Sequence, residues 1–403
     1  SKQMVRRLLI RLILLYLKSP VFRMKIVFII DTYNDSSGGG IATKRLVTEL
    51  RKRGHEVRIV AAVHENENDP DFYKVDGLVL YSSLNTRTAT KFCFGKKQKE
   101  VISRALTGVD IVQIQYPFVL GMGAVKMAKK LKIPCVGALH VQPQNILEVL
   151  NLRHPLFQNL VWQIFNYLLF KRVKTIVTPS KFATKLMSSR GLKANLLTIS
   201  NGVPKEYASR TVEKPSWFGN HFVILSIGRL AKEKRHEIII EGVKRSKYSN
   251  DIQVIIAGRG VRDNYLRELG RNLPIEPFIG FVSHDEKLRL LNSADLYVHS
   301  SVAELESLSS VEALASGLPC LISNSEASAA SQFSLDSRLL FKAEDADDLA
   351  AKINYWYENR DELTSTEMKK KAFLKAGDYA LEASVDKYEH LYKEVLEKNC
   401  FSV

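Results

Sequence analysis

Short apolar runs of strand type alternate with helix-period stretches along this chain, and the rhythm breaks once and then restarts. The first set of runs lies at residues 25–30, 57–62, 78–81, 111–115, 135–139, 175–178 and 196–199. Alternation of this kind specifies a parallel sheet with crossover helices on both faces. Residues 201–221 (NGVPKEYASRTVEKPSWFGNH) hold Gly and Pro and few apolar residues, which marks an interdomain linker. The rhythm resumes at Val223 and runs through 254–257, 276–279, 296–299 and 318–322, ahead of a helical stretch at 365–398. The expected fold is α/β, with two Rossmann-like parallel-sheet domains facing a central cleft, and 403 residues suffice for two cores.

The chemistry concentrates in residues 299–319, HSSVAELESLSSVEALASGLP. Gly317 suits a helix C′ position and Pro319 cannot continue a helix, so a helix is expected to start near Ser307. Glu304 then lies in the preceding loop and Glu312 on the second turn. Free amides at Ser307, Leu308 and Ser309 suit a diphosphate. Carboxylates beside such a cradle cannot bind phosphate but can accept hydrogen bonds from sugar hydroxyls. A second cluster, FVILSIGRLAKEKRH at 222–236, puts Arg229, Lys232, Lys234 and Arg235 just past a strand that ends at Gly228. Open α/β sheets bind ligands at such strand ends. Near the N-terminus a strand leads through Ser37-Gly38-Gly39-Gly40 into a helical stretch, a geometry that lets backbone approach a phosphate. No G-x-G-x-x-G is present, which argues against a dinucleotide-binding dehydrogenase.

The spacing Glu304-x7-Glu312, the run Glu312-Ala313-Leu314-Ala315-Ser316-Gly317-Leu318-Pro319 and the Gly228-Arg229-Leu230 cluster about 70 residues earlier resemble the retaining GT-B glycosyltransferases of family 4. Family members often carry Gly where this chain has Ser307. The resemblance covers nearly all of residues 24–395 and implies a metal-independent transfer of a hexose from a nucleotide diphosphate sugar, most simply UDP-glucose, with no cofactor. It assigns Arg229 and Lys234 to the departing diphosphate, Glu304 to donor-sugar hydroxyls, Glu312 to ribose hydroxyls, and Gly39 and Gly40 to the loop facing the donor. His140, at the end of its strand, is implied to approach the donor sugar. Retention in this family is attributed to front-face attack, with the leaving phosphate taking the acceptor proton.

The stretch HVQPQN is loosely similar to the H-x-Q-P-E-N of bacterial diacylglycerol glucosyltransferases, with Gln144 in place of Glu, which marks Gln142 and Asn145 as acceptor-side candidates. The implied division is a basic amphipathic segment at 1–23, an acceptor-binding domain at 24–205, a nucleotide-sugar domain at 206–385, and a helix at 386–403 packing back on the first domain.

Charge is unevenly spread. Residues 1–200 hold 32 Lys and Arg against 12 Asp and Glu, and the remainder 27 against 31, so the net +16 comes wholly from the first half. Such asymmetry calls for an anionic partner. The acceptor expected is a membrane lipid or lipid-linked glycan, with the enzyme cytoplasmic and peripheral on the inner face of the membrane. Residues 8–17 are interrupted by Arg11, too short and too charged to span a bilayer, and Arg7, Arg11 and Lys18 share one helical face. This segment could lie on a membrane, pack on the protein, or precede a natural start at Met24, and it lacks the cleavage site of a signal peptide. Residues 91–99 interleave aromatics with lysines, and residues 156–170 hold Phe157, Trp162, Phe165, Tyr167 and Phe170, either a core helix or a membrane contact.

Cys93, Cys135, Cys320 and Cys400 are widely spaced, as reduced thiols are, and no set of residues has metal-ligand spacing. Two other classes compete. A UDP-sugar epimerase of the same fold would need an acid/base set that is not evident. A nucleic-acid-binding protein would use the basic half, but no recognition helix, zinc module or RNP-type sequence is present. No nucleic-acid partner is therefore expected.

Overall fold

The computed structural model describes residues 23–34, 37–81, 91–149, 154–208, 210 and 212–401. The segment at 1–22 lies outside them. The described residues form two parallel sheets. The first has seven strands in the order Asn195–Thr198, Thr175–Thr178, Cys135–Ala138, Ile111–Ile114, Lys25–Ile29, Glu56–Ala61 and Phe72–Lys74. The second has six, in the order Phe278–Gly280, Ile252–Ala257, Phe222–Ile227, Leu296–His299, Cys320–Asn324 and Leu340–Lys342. Central strands such as IQVIIA at Ile252–Ala257 are buried at every position, because helices cover both sheet faces. Periodicity at the sequence level did not register the edge strands Phe72–Lys74 and Leu340–Lys342, which have only three residues each.

The structure corrects three expectations. The run at 78–81 is no part of the parallel sheet: Gly77–Tyr81 pairs antiparallel with Lys91–Gly95 as a separate ribbon. A parallel neighbour needs a crossover of a dozen or more residues, and only nine positions separate Tyr81 from Lys91 along the chain. Within the 91–99 stretch, Cys93 is buried and Phe94 packs edge-on against Phe118 with ring centroids 4.9 Å apart, so these two side chains face inward.

The linker is narrower than 201–221. Tyr207 and Phe218 are buried in the core of the second domain, and the crossing is confined to residues around Val203. There the chain lies beside its own return at Ala380: the Val203 amide donates to the Tyr379 carbonyl at 2.8 Å, and the Leu381 amide to the Val203 carbonyl at 3.0 Å. Gly202 is needed at this double crossing. Its φ is +75°, and a Cβ would stand 2.6 Å from the Leu381 Cα.

The last helix begins at Leu381, ahead of the expected 386, and runs to Phe401. It returns to the first domain, where Val385, Tyr388, Leu391 and Tyr392 join the N-terminal core. Burying such side chains stabilises by roughly 1.5–3 kcal/mol each. The Tyr392 hydroxyl also donates to Gln113 Oε1 at 3.1 Å. The preceding helix, Thr366–Gly377, stays with the second domain, where Ala372 and Ala376 are in its core.

Candidate active site

Each sheet has one pair of neighbouring, hydrogen-bonded strands from which the chain leaves in opposite directions, and the gap outside the carboxyl ends of that pair is where ligands of open α/β sheets bind. In the first domain the gap lies between Lys25–Ile29 and Ile111–Ile114. The loop after the first of these strands leads into the helix Gly38–Lys52, capped by the Ser37 hydroxyl, which accepts from the Gly40 amide. Ser37 Oγ also lies 3.1 Å from the Tyr116 hydroxyl, which comes from the loop after the second strand. Gly39 is required by close approach: a Cβ there would stand 2.4 Å from the Tyr116 hydroxyl and 2.9 Å from the His140 Cβ. At Gly40 a Cβ would fall 2.1 Å from the Asn34 carbonyl oxygen. His140 stands beside this loop, with Nε2 3.1 Å from Gln115 Oε1. Burial pushes its pKa down to about 4, so at neutral pH it is an uncharged hydrogen-bonding group.

In the second domain the gap lies between Phe222–Ile227 and Leu296–His299. Past Gly228, residues Lys232–Lys234 form a single 3₁₀ turn. This turn is tied to the neighbouring loop: Ser300 Oγ donates to the Lys234 carbonyl at 2.7 Å and Ser301 Oγ to the Glu233 carbonyl at 3.1 Å. Lys234 Nζ lies 2.5 Å from Glu304 Oε1, and His299 Nε2 lies 3.3 Å from the same oxygen. Burial alone would raise the Glu304 pKa, but Lys234 and His299 override it and hold it at about 2. Glu304 is therefore ionised across the working range and can only accept hydrogen bonds. Arg229 Nη2 donates to Glu233 Oε1 at 2.8 Å, which orients the guanidinium while leaving its side chain 39% exposed. Its charge reaches the opposite domain: burial pushes the Tyr116 phenol up to about 12, opposed by the Ser37 hydrogen bond and by Arg229.

The helix carrying the second glutamate is Leu308–Ala315, with Ser307 at its N-cap. Ser307 Oγ does not cap the helix; it lies 2.7 Å from Ser310 Oγ and 3.3 Å from His299 Nε2. Leu308 and Ser309 are half-buried on the first turn. Glu312 sits on the second turn of this helix, as expected. It is 3% exposed and paired with Arg45 of the first domain and, at 2.7 Å, with Lys287. Its carboxylate thus joins the two domains near the crossing at Gly202. Arg45 also donates to the Gly202 carbonyl at 3.1 Å.

On the acceptor side, Gln142 is fully buried and its amide nitrogen donates to the Ala327 carbonyl of the second domain at 3.3 Å. Its Oε1 is buried without a hydrogen-bond partner. Asn145 Oδ1 accepts from the Gln142 amide at 3.3 Å. The structure thus gathers Gly39 and His140 at Tyr116, with Gly40 beside Ser37, in the first domain and pairs Lys234 with Glu304 in the second, with the Arg229 charge reaching Tyr116 between them. It adds Tyr116, Gln115, Glu233, His299, Arg45 and Lys287. Of these, only His299 carried a legible signal, since it ends its strand as His140 follows its own.

A further buried acid spans the domains. The Asn201 amide donates to Glu306 Oε2 at 2.9 Å. Burial, only partly offset by that amide and Ser200, raises the Glu306 pKa from 4.5 to about 7. A carboxyl whose folded pKa exceeds its unfolded value stabilises below the unfolded value and loses that stability as pH rises through the folded one. Relative to wild type, the Glu306→Gln variant is expected to gain up to about 3 kcal/mol between pH 4.5 and 7. Thermal melts of both proteins across this range check it; a constant difference would show that Glu306 titrates normally.

Two parallel-sheet domains meeting gap to gap, with cations and an ionised carboxylate between them, define the GT-B architecture. The chain belongs to the family 4 glycosyltransferases: residues 36–207 match Glycosyltransferase Family 4, and residues 209–374 match Glycosyl transferases group 1. It is 24% identical over 316 residues to an alpha-monoglucosyldiacylglycerol synthase of Streptococcus pneumoniae, across 74% of this chain and 70% of that protein. The synthase of the same description from Acholeplasma laidlawii is 25% identical over 386 residues, across 90% of this chain and 95% of its own. Among solved structures, Anabaena HepE in complex with UDP-glucose shares the fold, with a TM-score of 0.70 at 15% identity, covering 91% of this chain and 98% of that one.

Proposed function

We propose that this glycosyltransferase moves glucose from UDP-glucose to a membrane lipid or lipid-linked glycan, with retention of configuration and without a metal ion. The observation that carries the reading is the Lys234–Glu304 pair past the strand end, together with Arg229, whose charge acts on Tyr116, the residue against which Gly39 packs beside His140. In transfer, the bond from the anomeric carbon to the β-phosphate oxygen breaks and a bond to the acceptor oxygen forms on the same face. The acceptor proton passes to the departing phosphate. Negative charge grows on the diphosphate, so fixed cations there lower the barrier, and this term is commonly the largest in such reactions. Arg229 and Lys234 supply it. Glu304 exchanges part of its contact with Lys234 for donor hydroxyls, and neutral His140 donates or accepts one hydrogen bond. Displacing the buried Gln142–Ala327 contact would offer the unpaired Gln142 Oε1 as an acceptor for an incoming hydroxyl. The named activity of the two synthases supports a lipid acceptor and a glucosyl donor.

The test is UDP release from a panel of UDP-sugars, with and without vesicles containing diacylglycerol, repeated in EDTA. Release is expected with UDP-glucose and vesicles, unchanged by EDTA, with label entering the organic phase. Release independent of lipid would move the acceptor to a soluble glycan or protein. Epimerised sugar without released UDP would overturn transfer.

A further inference from the structure

The helix Pro155–Phe165 and the π-helical turn Asn166–Phe170 that continues it are apolar nearly all round, but only one side faces the core. Trp162, Phe165, Leu169 and Phe170 are buried in the N-terminal core. Leu156 at 70% exposure, Phe157, Leu160 at 53%, Ile164 and Tyr167 at 65% stand outward instead. Positions 156, 160, 164 and 167 follow helical spacing and so form one ridge. A contiguous ridge of large apolar side chains facing water marks a surface for lipid or protein.

The charge around it chooses between these. Residues 111–200 hold twelve Lys and Arg against Glu148 alone. Lys171 and Arg172 end the ridge, and the Arg172 guanidinium lies over the Tyr167 ring at 4.9 Å. Arg190 joins the next helix to this one, donating to Asn159 Oδ1 at 3.1 Å and lying 5.1 Å over the Trp162 ring. That next helix, Lys181–Ser188, carries exposed Lys181 and Lys185. Apolar side chains bordered by these cations match the interface of an anionic bilayer, where the stems enter the acyl boundary and the cations meet phosphate. The ridge also adjoins the cleft: Gln144 of the helix Pro143–Val149 donates to Gln158 Oε1 at 3.2 Å, and Gln142 at its start faces the second domain.

We propose that the outer face of residues 156–167 inserts into the interfacial layer of an anionic membrane and sets the acceptor side of the cleft against it. The inference deepens the lipid-acceptor reading and rests on it for its purpose, although not for its geometry. Among the described residues no helix is long and apolar enough to cross a membrane.

The test uses the full chain with phosphatidylcholine vesicles, with and without phosphatidylglycerol. A Leu160→Trp substitution is expected to add emission that acyl-brominated lipid quenches only in anionic vesicles. This readout follows the ridge itself, whatever residues 1–22 do. The Leu160→Ser/Ile164→Ser pair is expected to lower partition to anionic vesicles at least tenfold while UDP release with short-chain diacylglycerol in detergent is unchanged. Absence of quenching, or partition unaffected by the serine pair, overturns the proposal. So does loss of a lipid-free dimer in the serine pair with vesicle binding intact, which would give the ridge to a second copy. Quenching without sugar entering lipid would uphold the ridge and reject the lipid-acceptor function.

Discussion

Lys234→Ala and Glu304→Gln are each expected to lower kcat for sugar transfer by about 10²–10³-fold, the scale seen when one preorganised electrostatic contact to a transition state is removed. Each has a structural side effect that must be separated from catalysis. Lys234 and Glu304 are 19% and 12% exposed and hold each other at 2.5 Å, so removing one strands the other's charge in a poorly solvated place. In Lys234→Ala only His299 remains on Glu304, and the Glu304 pKa is expected to move from about 2 back toward its ordinary 4.5. The neutral double variant Lys234→Met/Glu304→Gln strands no charge. It is expected to melt within a few degrees of wild type and to be as inactive as the single variants. UDP release and thermal melts on the three proteins decide the matter. Turnover within threefold of wild type in Lys234→Ala would reduce this pair to a structural contact and remove the basis for the proposed chemistry.

The second large effect is on stability. Glu312→Ala is expected to destabilise by about 3–5 kcal/mol, because it leaves Arg45 and Lys287 as uncompensated, mostly buried cations beside Tyr207. Burial opposes ionisation of all three groups. Even so, Lys287 and Arg45 hold Glu312 below the ordinary carboxylate range, and Glu312 in turn keeps both cations above theirs. The sign with pH is therefore opposite to that of Glu306: the Glu312 contribution is present above pH 4.5 and is lost as pH falls. Arg45→Met combined with Glu312→Gln closes a double-mutant cycle, with an expected coupling of about 1–3 kcal/mol. If Glu312 served only ribose hydroxyls, the melts would not move and KM for the donor would rise. That result would return the residue to the role its place in the family motif implies.

The glycines and charges around Arg229 and the Glu304-x7-Glu312 spacing could be read from the sequence because they belong to local structure: a strand end, a tight turn and the first turns of one helix. The alternation of apolar runs is local in the same sense, and it carried the two-domain architecture. The run at 78–81 misled because an isolated short strand does not state the direction of its partner. The apolar stretch at 156–170 showed a helix but not which half would face the core, since both sides are hydrophobic.

Pairings across the fold had no such signature. Lys234 and Glu304 are 70 residues apart, and Arg45 and Glu312 are 267 apart. Their partnership depends on how two sheets and a double crossing at Gly202 are set against each other. Sequence by itself determined most of the elements, their order and the residues proposed to bind a phosphorylated sugar, because periodicity, turn chemistry and helix caps act over a few residues. Only tertiary structure decided that Glu304 is held ionised by Lys234, that Glu312 fastens the domains together, and that the ridge from Leu156 to Tyr167 faces outward. Burial and through-space charge fix those properties, and both depend on residues that are distant along the chain.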